Sequence, residues 1–182
     1  YRYLEGFADD NQMTLYTFDG NHAYIFEAER SDDGRIHGEF FSGRSWNQTW
    51  DATPNPEASL EDANKMTYLK PGYDGIDFNF PDLNGNLVSP SDAKFENKVL
   101  VLQIFGTWCP NCMDETRFYK EWIEKNPNAP VSFLGLAYES KDDFEYAKKR
   151  VSVMKEKMNV PYDFVIAGVS DKKKASKTLP ML

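Results

Sequence analysis

The most informative segment of the chain is VLVLQIFGTWCPNC, residues 99–112. Its first half, Val99–Phe105, is almost continuously apolar, which is typical of a strand buried on both faces of a sheet. The residues after Cys109 follow helical spacing up to a predicted end at Asn126. That spacing is carried by Phe118, Tyr119, Trp122 and Ile123. The segment therefore predicts two cysteines at the junction of a buried strand and a helix.

This placement favours redox chemistry at Cys109 and Cys112. Free backbone N–H groups and the helix dipole stabilise an anion at a helix N-terminus, so Cys109 is expected to ionise below the usual thiol pKa of ~8.5. Two intervening residues bring the second sulfur within bonding reach of the first. A disulfide in so small a loop adds little loop-closure stabilisation, which argues against a purely structural bond.

Two other uses of the cysteines stay open at this point. A zinc half-site would need two further ligands, but residues 67–182 hold no other Cys and no His. Inert buried thiols are the second alternative, and they would make the spacing and the strand-to-helix placement a coincidence. The two histidines, His22 and His37, have no metal-ligand spacing and are interpreted as half-exposed strand residues.

The second part of the chain alternates strand and helix signals, which predicts parallel strands with helical cover. The predicted elements are a hairpin over 76–89 with Asn84-Gly85 at its turn, strands over 131–137 and 162–167, and helices capped by Ser140 and Ser170. An apolar stripe at steps of three and four marks the core face of the helix after Ser140. It consists of Phe144, Ala147, Val151, Met154 and Met158.

The first part predicts an antiparallel meander. Its aromatic- and Thr-rich segments lie near 3–8, 12–18, 22–29, 35–42 and 46–52. Asp19-Gly20 has the form of a two-residue hairpin turn. Trp46, Gln48 and Trp50 are expected to share one face of their strand. No constellation of catalytic residues is found in this part.

Charge and composition divide the chain and limit its partners. Residues 1–66 hold five Lys/Arg and thirteen Asp/Glu, whereas residues 67–182 hold sixteen of each. A net charge of −8 argues against nucleic acid or an anionic membrane surface as a partner. No apolar run approaches the ~18 residues of a membrane span. The 182 residues, 41% of them apolar, suffice for one domain or two small ones.

The segment FGTWCPNC, residues 105–112, resembles the active-site segment of thioredoxin-like proteins. The preceding FNFPDLNG, residues 78–85, narrows the resemblance to TlpA- and ResA-like thiol-disulfide oxidoreductases. The β-rich part is similar to accessory domains that precede thioredoxin modules in Bacteroidetes proteins. The resemblance implies an α/β fold: a β-rich accessory segment over 1–60, a linker over 61–75 and a thioredoxin-like domain over 76–182.

The resemblance also implies an enzyme that reduces protein disulfides. Cys109 would be the attacking thiolate, and Cys112 would resolve the mixed disulfide. Trp108 would shape the lip over the sulfurs, although it is equally well interpreted as a packing aromatic. Pro110 suits the first helical turn, and the dipeptide between the cysteines tunes the reduction potential in this family. No cofactor and no metal is implied beyond the redox-active disulfide.

One departure from thioredoxins concerns the acid–base group. Thioredoxins carry a buried Asp six residues before the first cysteine, where this chain has Gln103, which cannot titrate. ResA-like proteins instead use a Glu three residues after the second cysteine, and Glu115 occupies that position. The resemblance implies that Glu115 serves Cys112 as acid–base group. The alternative is a carboxylate that only favours the helix N-terminus.

A second departure concerns the end of the chain. The family completes its site with a cis-proline loop, an antiparallel strand pair and a final helix. We expect that Pro180 is not the cis-proline and that these C-terminal elements are truncated here. The fragment would then leave a sheet edge uncovered and be prone to self-association.

Partners and location follow from the resemblance alone. It implies protein disulfide substrates, a membrane-bound thiol electron donor and a periplasmic location, with a membrane tether in the intact protein. A thiol peroxidase is an alternative, but Leu102 and Gly106 replace the Pro and Thr that precede the nucleophile of peroxiredoxins. A non-catalytic, redox-sensitive interaction module is a further alternative.

Overall fold

The computed structural model describes residues 4–20, 22–62 and 65–182. Tyr3 of the first predicted strand and residues 63 and 64 of the predicted linker lie outside the described residues. The chain forms two compact units, Tyr1–Glu61 and Asp62–Leu182. The predicted linker therefore falls almost entirely within the second unit.

The first unit is a five-stranded antiparallel sheet whose spatial order follows the chain, as the predicted meander requires. Its strands are β1 (Glu5–Ala8), β2 (Gln12–Phe18), β3 (Ala23–Arg30), β4 (Ile36–Ser42) and β5 (Trp46–Ala52). Alternation along the strands places a cluster of aromatic rings on one face. The cluster, hereafter the aromatic cluster, consists of Tyr24, Phe26, Phe40, Trp46 and Trp50.

The loop between β2 and β3 differs from the prediction. Phe18 pairs with Ala23, so four residues rather than two connect the strands. The Asp19 side chain accepts a hydrogen bond from the backbone N–H of His22 at 2.7 Å, which stabilises the wider loop. Gly20 has a φ of 97°, a conformation that glycine adopts without strain.

The second unit has a thioredoxin-like α/β fold. Its elements are β6 (Phe80–Pro81), β7 (Leu87–Val88), a 3-10 turn (Ala93–Phe95), β8 (Val99–Phe105), α1 (Pro110–Lys125), β9 (Val131–Glu139), α2 (Phe144–Met158), β10 (Asp163–Val169) and α3 (Lys172–Thr178). Three parallel strands form its sheet in the order β10-β9-β8. The predicted alternation of strands and helices is confirmed.

The prediction that Val99–Phe105 is buried on both faces is wrong. The strand pairs only with β9 and forms an edge of the sheet in the described part of the chain. Val99 is 63% exposed and Ile104 is 51% exposed. The central strand is β9, in which Leu134, Leu136 and Ala137 have no exposed surface. A continuous apolar run does not distinguish an edge strand from a central one, because pairing is set by the whole sheet.

Several local boundaries also differ from the predictions. Each strand of the hairpin around the Asn84-Gly85 turn has only two residues and is shorter than predicted. Asp143 and Asp171, not Ser140 and Ser170, cap α2 and α3. Each Asp accepts the N–H three residues later, and a short carboxylate serves this position as well as a hydroxyl. No peptide bond in the described ranges is cis, which includes the bond before Pro180.

Two apolar clusters cover the two faces of the parallel sheet. One contains Leu134, Leu136 and Val165. The other contains the predicted stripe of α2, in which Ala147, Val151 and Met154 are buried while Phe144 and Met158 pack at its border. No helix in the described part of the chain has both the length and the apolar character needed to cross a membrane.

Candidate active site

The two cysteines form a disulfide at the N-terminus of α1. Their Cα atoms are 5.3 Å apart. Cys109 is the N-cap residue, and its Sγ accepts the backbone N–H of Cys112 at 3.3 Å. The helix begins at Pro110, as predicted, where a missing N–H costs no helical hydrogen bond. The site thus places a reversible covalent bond at the N-terminus of a helix.

The loop that precedes Cys109 is held against the end of β9. Trp108 is 51% exposed, and its Nε1 donates to the backbone oxygen of Tyr138 at 3.0 Å. A Cβ atom on Gly106 would collide with the Trp108 ring and would lie 2.8 Å from the same Tyr138 oxygen. Only glycine therefore permits this close approach of loop and strand.

A buried amide connects Cys112 with Glu115. Gln103 is only 2% exposed, and its Nε2 lies 3.2 Å from the backbone oxygen of Cys112 and 3.1 Å from Glu115 Oε2. Its Oε1 accepts the hydroxyl of Tyr162 at 2.8 Å. The other carboxylate oxygen of Glu115 accepts the hydroxyl of Tyr119 at 3.0 Å. Glu115 is therefore held in place on the turn that follows Cys112.

The two tyrosines of this network are hydrogen-bond donors throughout the physiological pH range. Burial, with the Glu115 carboxylate as hydrogen-bond acceptor, raises the pKa of Tyr119 to about 12. Burial also raises the pKa of Tyr162 to about 12. Both hydroxyls consequently stay protonated and keep donating, to Glu115 and to Gln103 respectively.

A buried carboxylate near the site was not predicted from the sequence. Glu139, the last residue of β9, has no exposed surface. Its Oε1 accepts the backbone N–H of Thr107 at 2.7 Å, and its Oε2 accepts the Thr107 hydroxyl at 3.0 Å. The signal was available, because Glu139 ends an apolar strand, and the carboxyl ends of parallel strands meet at one edge of the sheet.

The structure brings all five predicted site residues to the beginning of α1 or the loop before it. Among the residues described, no group of three or more His, Cys, Asp or Glu side chains is arranged to hold a metal ion. Of the two histidines, His37 pairs with Asp51 on the sheet of the first unit. The roles of all five residues stay predictions.

Comparison with known families identifies this unit. The model of the Redoxin family matches residues 70–177, which is more than half of the chain. The chain belongs to the Redoxin family. Redoxin membership and the Cys109–Cys112 disulfide together confirm the predicted class, a thiol-disulfide oxidoreductase.

Solved structures of bacterial proteins are similar to the Redoxin unit. A thiol-disulfide oxidoreductase from Bacteroides fragilis is 19% identical over 56% of this chain and 71% of its own, with a TM-score of 0.46. A secreted Mycobacterium tuberculosis disulfide oxidoreductase, homologous to E. coli DsbE, is 23% identical over 50% of this chain and 60% of its own, with a TM-score of 0.39.

A thiol:disulfide interchange protein of the thioredoxin family from Chlorobium tepidum is 17% identical over 57% of this chain and 63% of its own, with a TM-score of 0.43. The match thus spans less than two thirds of the Mycobacterium and Chlorobium proteins. No curated protein sequence matches the chain.

Proposed function

We propose that the chain is a TlpA- and ResA-like reductase of protein disulfides, with Cys109 as the attacking thiolate and Cys112 as the resolving thiol. The observation that carries this proposal is the Cys109–Cys112 disulfide at the first turn of α1, beside a half-exposed Trp108. The disulfide is the state in which such a reductase is left after one turnover.

The first step begins with the reduced pair. The N-terminus of α1 stabilises the Cys109 thiolate, and the N–H of Cys112 already points to its sulfur. This thiolate attacks one sulfur of a substrate disulfide. A Cys109–substrate disulfide forms, the substrate S–S bond breaks, and one substrate cysteine leaves as a thiolate that takes up a proton.

The second step regenerates the observed disulfide. The thiol of Cys112 loses its proton and attacks Cys109 Sγ, so that the mixed disulfide breaks and the second substrate thiol is released. Two electrons have then passed from the cysteine pair to the substrate. An external thiol donor must return them before the next turnover.

Glu115 is the proposed acceptor of the Cys112 proton. Its carboxylate lies one helical turn after Cys112, and Gln103 donates both to Glu115 and to the backbone of Cys112. Because Gln103 itself cannot titrate, Glu115 is the ionisable group of this network closest in sequence to the resolving cysteine. Trp108, held by its Nε1 hydrogen bond, would form the lip against which the substrate rests.

The partners and the location belong to the same proposal. Protein disulfides are the proposed substrates and a membrane-bound thiol protein the proposed electron donor, in the periplasm or outside the cell. The similar Mycobacterium protein is secreted, which supports an extracytoplasmic location. Disulfide chemistry of this kind is also most used outside the cytosol.

Insulin reduction with dithiothreitol as electron donor tests the reaction. Cys109→Ser is expected to abolish catalysis, because no nucleophile remains. Cys112→Ser is expected to accumulate a mixed disulfide with insulin, visible on a non-reducing gel, because the resolving thiol is missing.

Ser132→Ala, at the opposite end of β9 from the loop, is the control and is expected to keep the parent rate. Turnover of insulin by Cys109→Ser at the parent rate would contradict the proposal. Consumption of peroxide by a parent protein that leaves insulin disulfides intact would instead favour the thiol peroxidase alternative.

A further inference from the structure

We propose that Glu139 is a positioning residue of the redox site, which holds the loop before Cys109 through Thr107 and makes the cysteine pair more reducing by its buried negative charge. This inference rests on the proposed function, because it concerns the reduction potential of the same pair. None of the steps described above uses Glu139.

The contacts of Glu139 restrain the loop directly. Both of its carboxylate oxygens are occupied by Thr107, one by the backbone N–H at 2.7 Å and one by the hydroxyl at 3.0 Å. Together with the Trp108 bond to Tyr138, three hydrogen bonds tie residues 107 and 108 to the end of β9. Because the Glu139 carboxylate is fully buried, water does not compete for its oxygens.

A cation balances this buried charge through the same hydroxyl. Arg150 Nε donates to Thr107 Oγ1 at 3.1 Å, and Thr107 Oγ1 in turn donates to Glu139. Further ionisable side chains on α2, those of Tyr146, Lys149 and Lys157, line a cavity with Thr107 and Arg150. The hydroxyl of Thr107 thus joins a buried anion to an exposed cation.

The charge of Glu139 lies close enough to act on Cys109. Two residues of chain span at most about 7 Å, and the carboxylate touches the residue two positions before the cysteine. A buried charge at such a range is screened little by salt. Its negative charge opposes the Cys109 thiolate, which the helix N-terminus favours, and so stabilises the disulfide relative to the dithiol.

Two single substitutions test the proposal, one that removes the buried negative charge and one that removes the positive charge beside it. Glu139→Gln keeps the shape and removes the anion, so the potential in a glutathione titration should become less negative. The equilibrium constant should change by about three- to tenfold, where tenfold is about 30 mV. Arg150→Gln removes the cation and should shift the potential in the opposite direction, by a smaller factor of about two- to threefold.

The pH profile of Cys109 alkylation in the reduced protein gives a second readout. It should move to lower pH in Glu139→Gln and to higher pH in Arg150→Gln, because thiolate formation follows the local charge. Ser140→Ala removes only the exposed hydroxyl bond to Tyr146 and should leave both readouts at the parent values.

A purely structural role for Glu139 predicts different results. Loosening of the loop would shift both variants in the same direction or neither of them, and either result would overturn the proposal. If Glu139→Gln does not fold, Arg150→Gln decides alone, because it is a surface substitution. If the parent protein exchanges disulfides with glutathione and both variants have the same reduction potential as the parent, this inference is overturned and the proposed function still stands.

Discussion

The two units of the chain bury their apolar side chains in different ways. In the Redoxin unit, apolar clusters cover both faces of the sheet, and residues such as Leu134 have no exposed surface. In the sheet unit, Ala28 is the only apolar side chain among the described residues that is buried to a comparable degree. The redox site belongs to the unit with the core, where buried neighbours can hold a reactive loop in one position.

The sheet unit relies instead on contacts between neighbouring strands. Phe40 is the centre of the aromatic cluster, with its ring centroid 4.6 Å from Phe26, 5.4 Å from Trp46 and 5.8 Å from Tyr24. Cross-strand pairs of this kind stabilise a sheet without a second layer. The two units together indicate that a regular antiparallel sheet needs less buried apolar surface than a parallel sheet with a redox loop at its end.

The largest expected difference between the units comes from removing a leucine side chain. Leu134→Ala leaves a cavity in a fully buried site and should cost about 3 kcal/mol of unfolding free energy. Leu15→Ala makes the same change on β2, where the side chain is only half-buried. It should cost about 1 kcal/mol.

Native-state amide hydrogen exchange measures the two effects separately, because it reports the opening free energy of each strand. We expect Leu134→Ala to lower the protection of the β9 amides against exchange, while the amides of β2 and β3 change less. Equal losses from the two substitutions would show that the sheet unit also has an effective core.

The second difference concerns a buried amide. Gln103→Ala should cost about 2 kcal/mol, because the buried hydroxyl of Tyr162 loses its acceptor and Glu115 loses one hydrogen-bond donor. Gln48→Ala removes the same side chain from an exposed position of β5 and should cost less than about 0.5 kcal/mol. Urea unfolding followed by Trp fluorescence would contradict this if the two losses were equal.

The strands and helices were predictable from the sequence because their signals are local. Alternation located every strand of the sheet unit to within about two residues, and the stripe from Phe144 to Met158 identified the buried face of α2. The Trp-Cys-x-x-Cys segment placed the disulfide at the start of a helix, where the structure has it. The patterns of the strands and helices have the period of the element itself.

The parts that could not be predicted depend on the order of strands. The edge position of β8 follows from its pairing with β9 alone, and no property of residues 99–105 reports that. Glu139 meets Thr107 across 32 residues of sequence, and Tyr162 meets Gln103 across 59. Such contacts require the sheet order first, and the sequence supplies only the residue types that could make them.

A smaller effect is expected within the aromatic cluster. Phe40→Ala removes three ring contacts and should lower the protection of β3 and β4 by about 1 kcal/mol. Phe118→Ala is the matched control in the Redoxin unit, where the ring is 63% exposed on α1. A loss in Phe40→Ala no larger than in this control would show that hydrogen bonding alone holds the sheet together.

The smallest expected effect is one in which the two units behave alike. Burial opposes the ionisation of Asp82, but hydrogen bonds from the backbone N–H groups of Asn84 and Asn86 and from the Asn86 side chain together outweigh it and lower its pKa. Backbone N–H groups of Asn11 and Gln12 lower the pKa of Asp9 in the sheet unit in the same way.

A carboxyl pKa that is lower in the folded than in the unfolded chain adds stability above the unfolded value, about 3.9, and that stability disappears as the pH falls through the folded value. Each turn should therefore loosen slightly below pH 4, and carboxyl carbon NMR titration should give midpoints below 3.9 for both residues. Asp82→Asn should remove the pH dependence of its hairpin and leave the Asp9 turn unchanged. A midpoint at or above the ordinary value for Asp9 alone would mean that the turns, like the cores, differ between the units. Midpoints lowered in both would show that turn chemistry acts locally and does not need the buried core of the Redoxin unit.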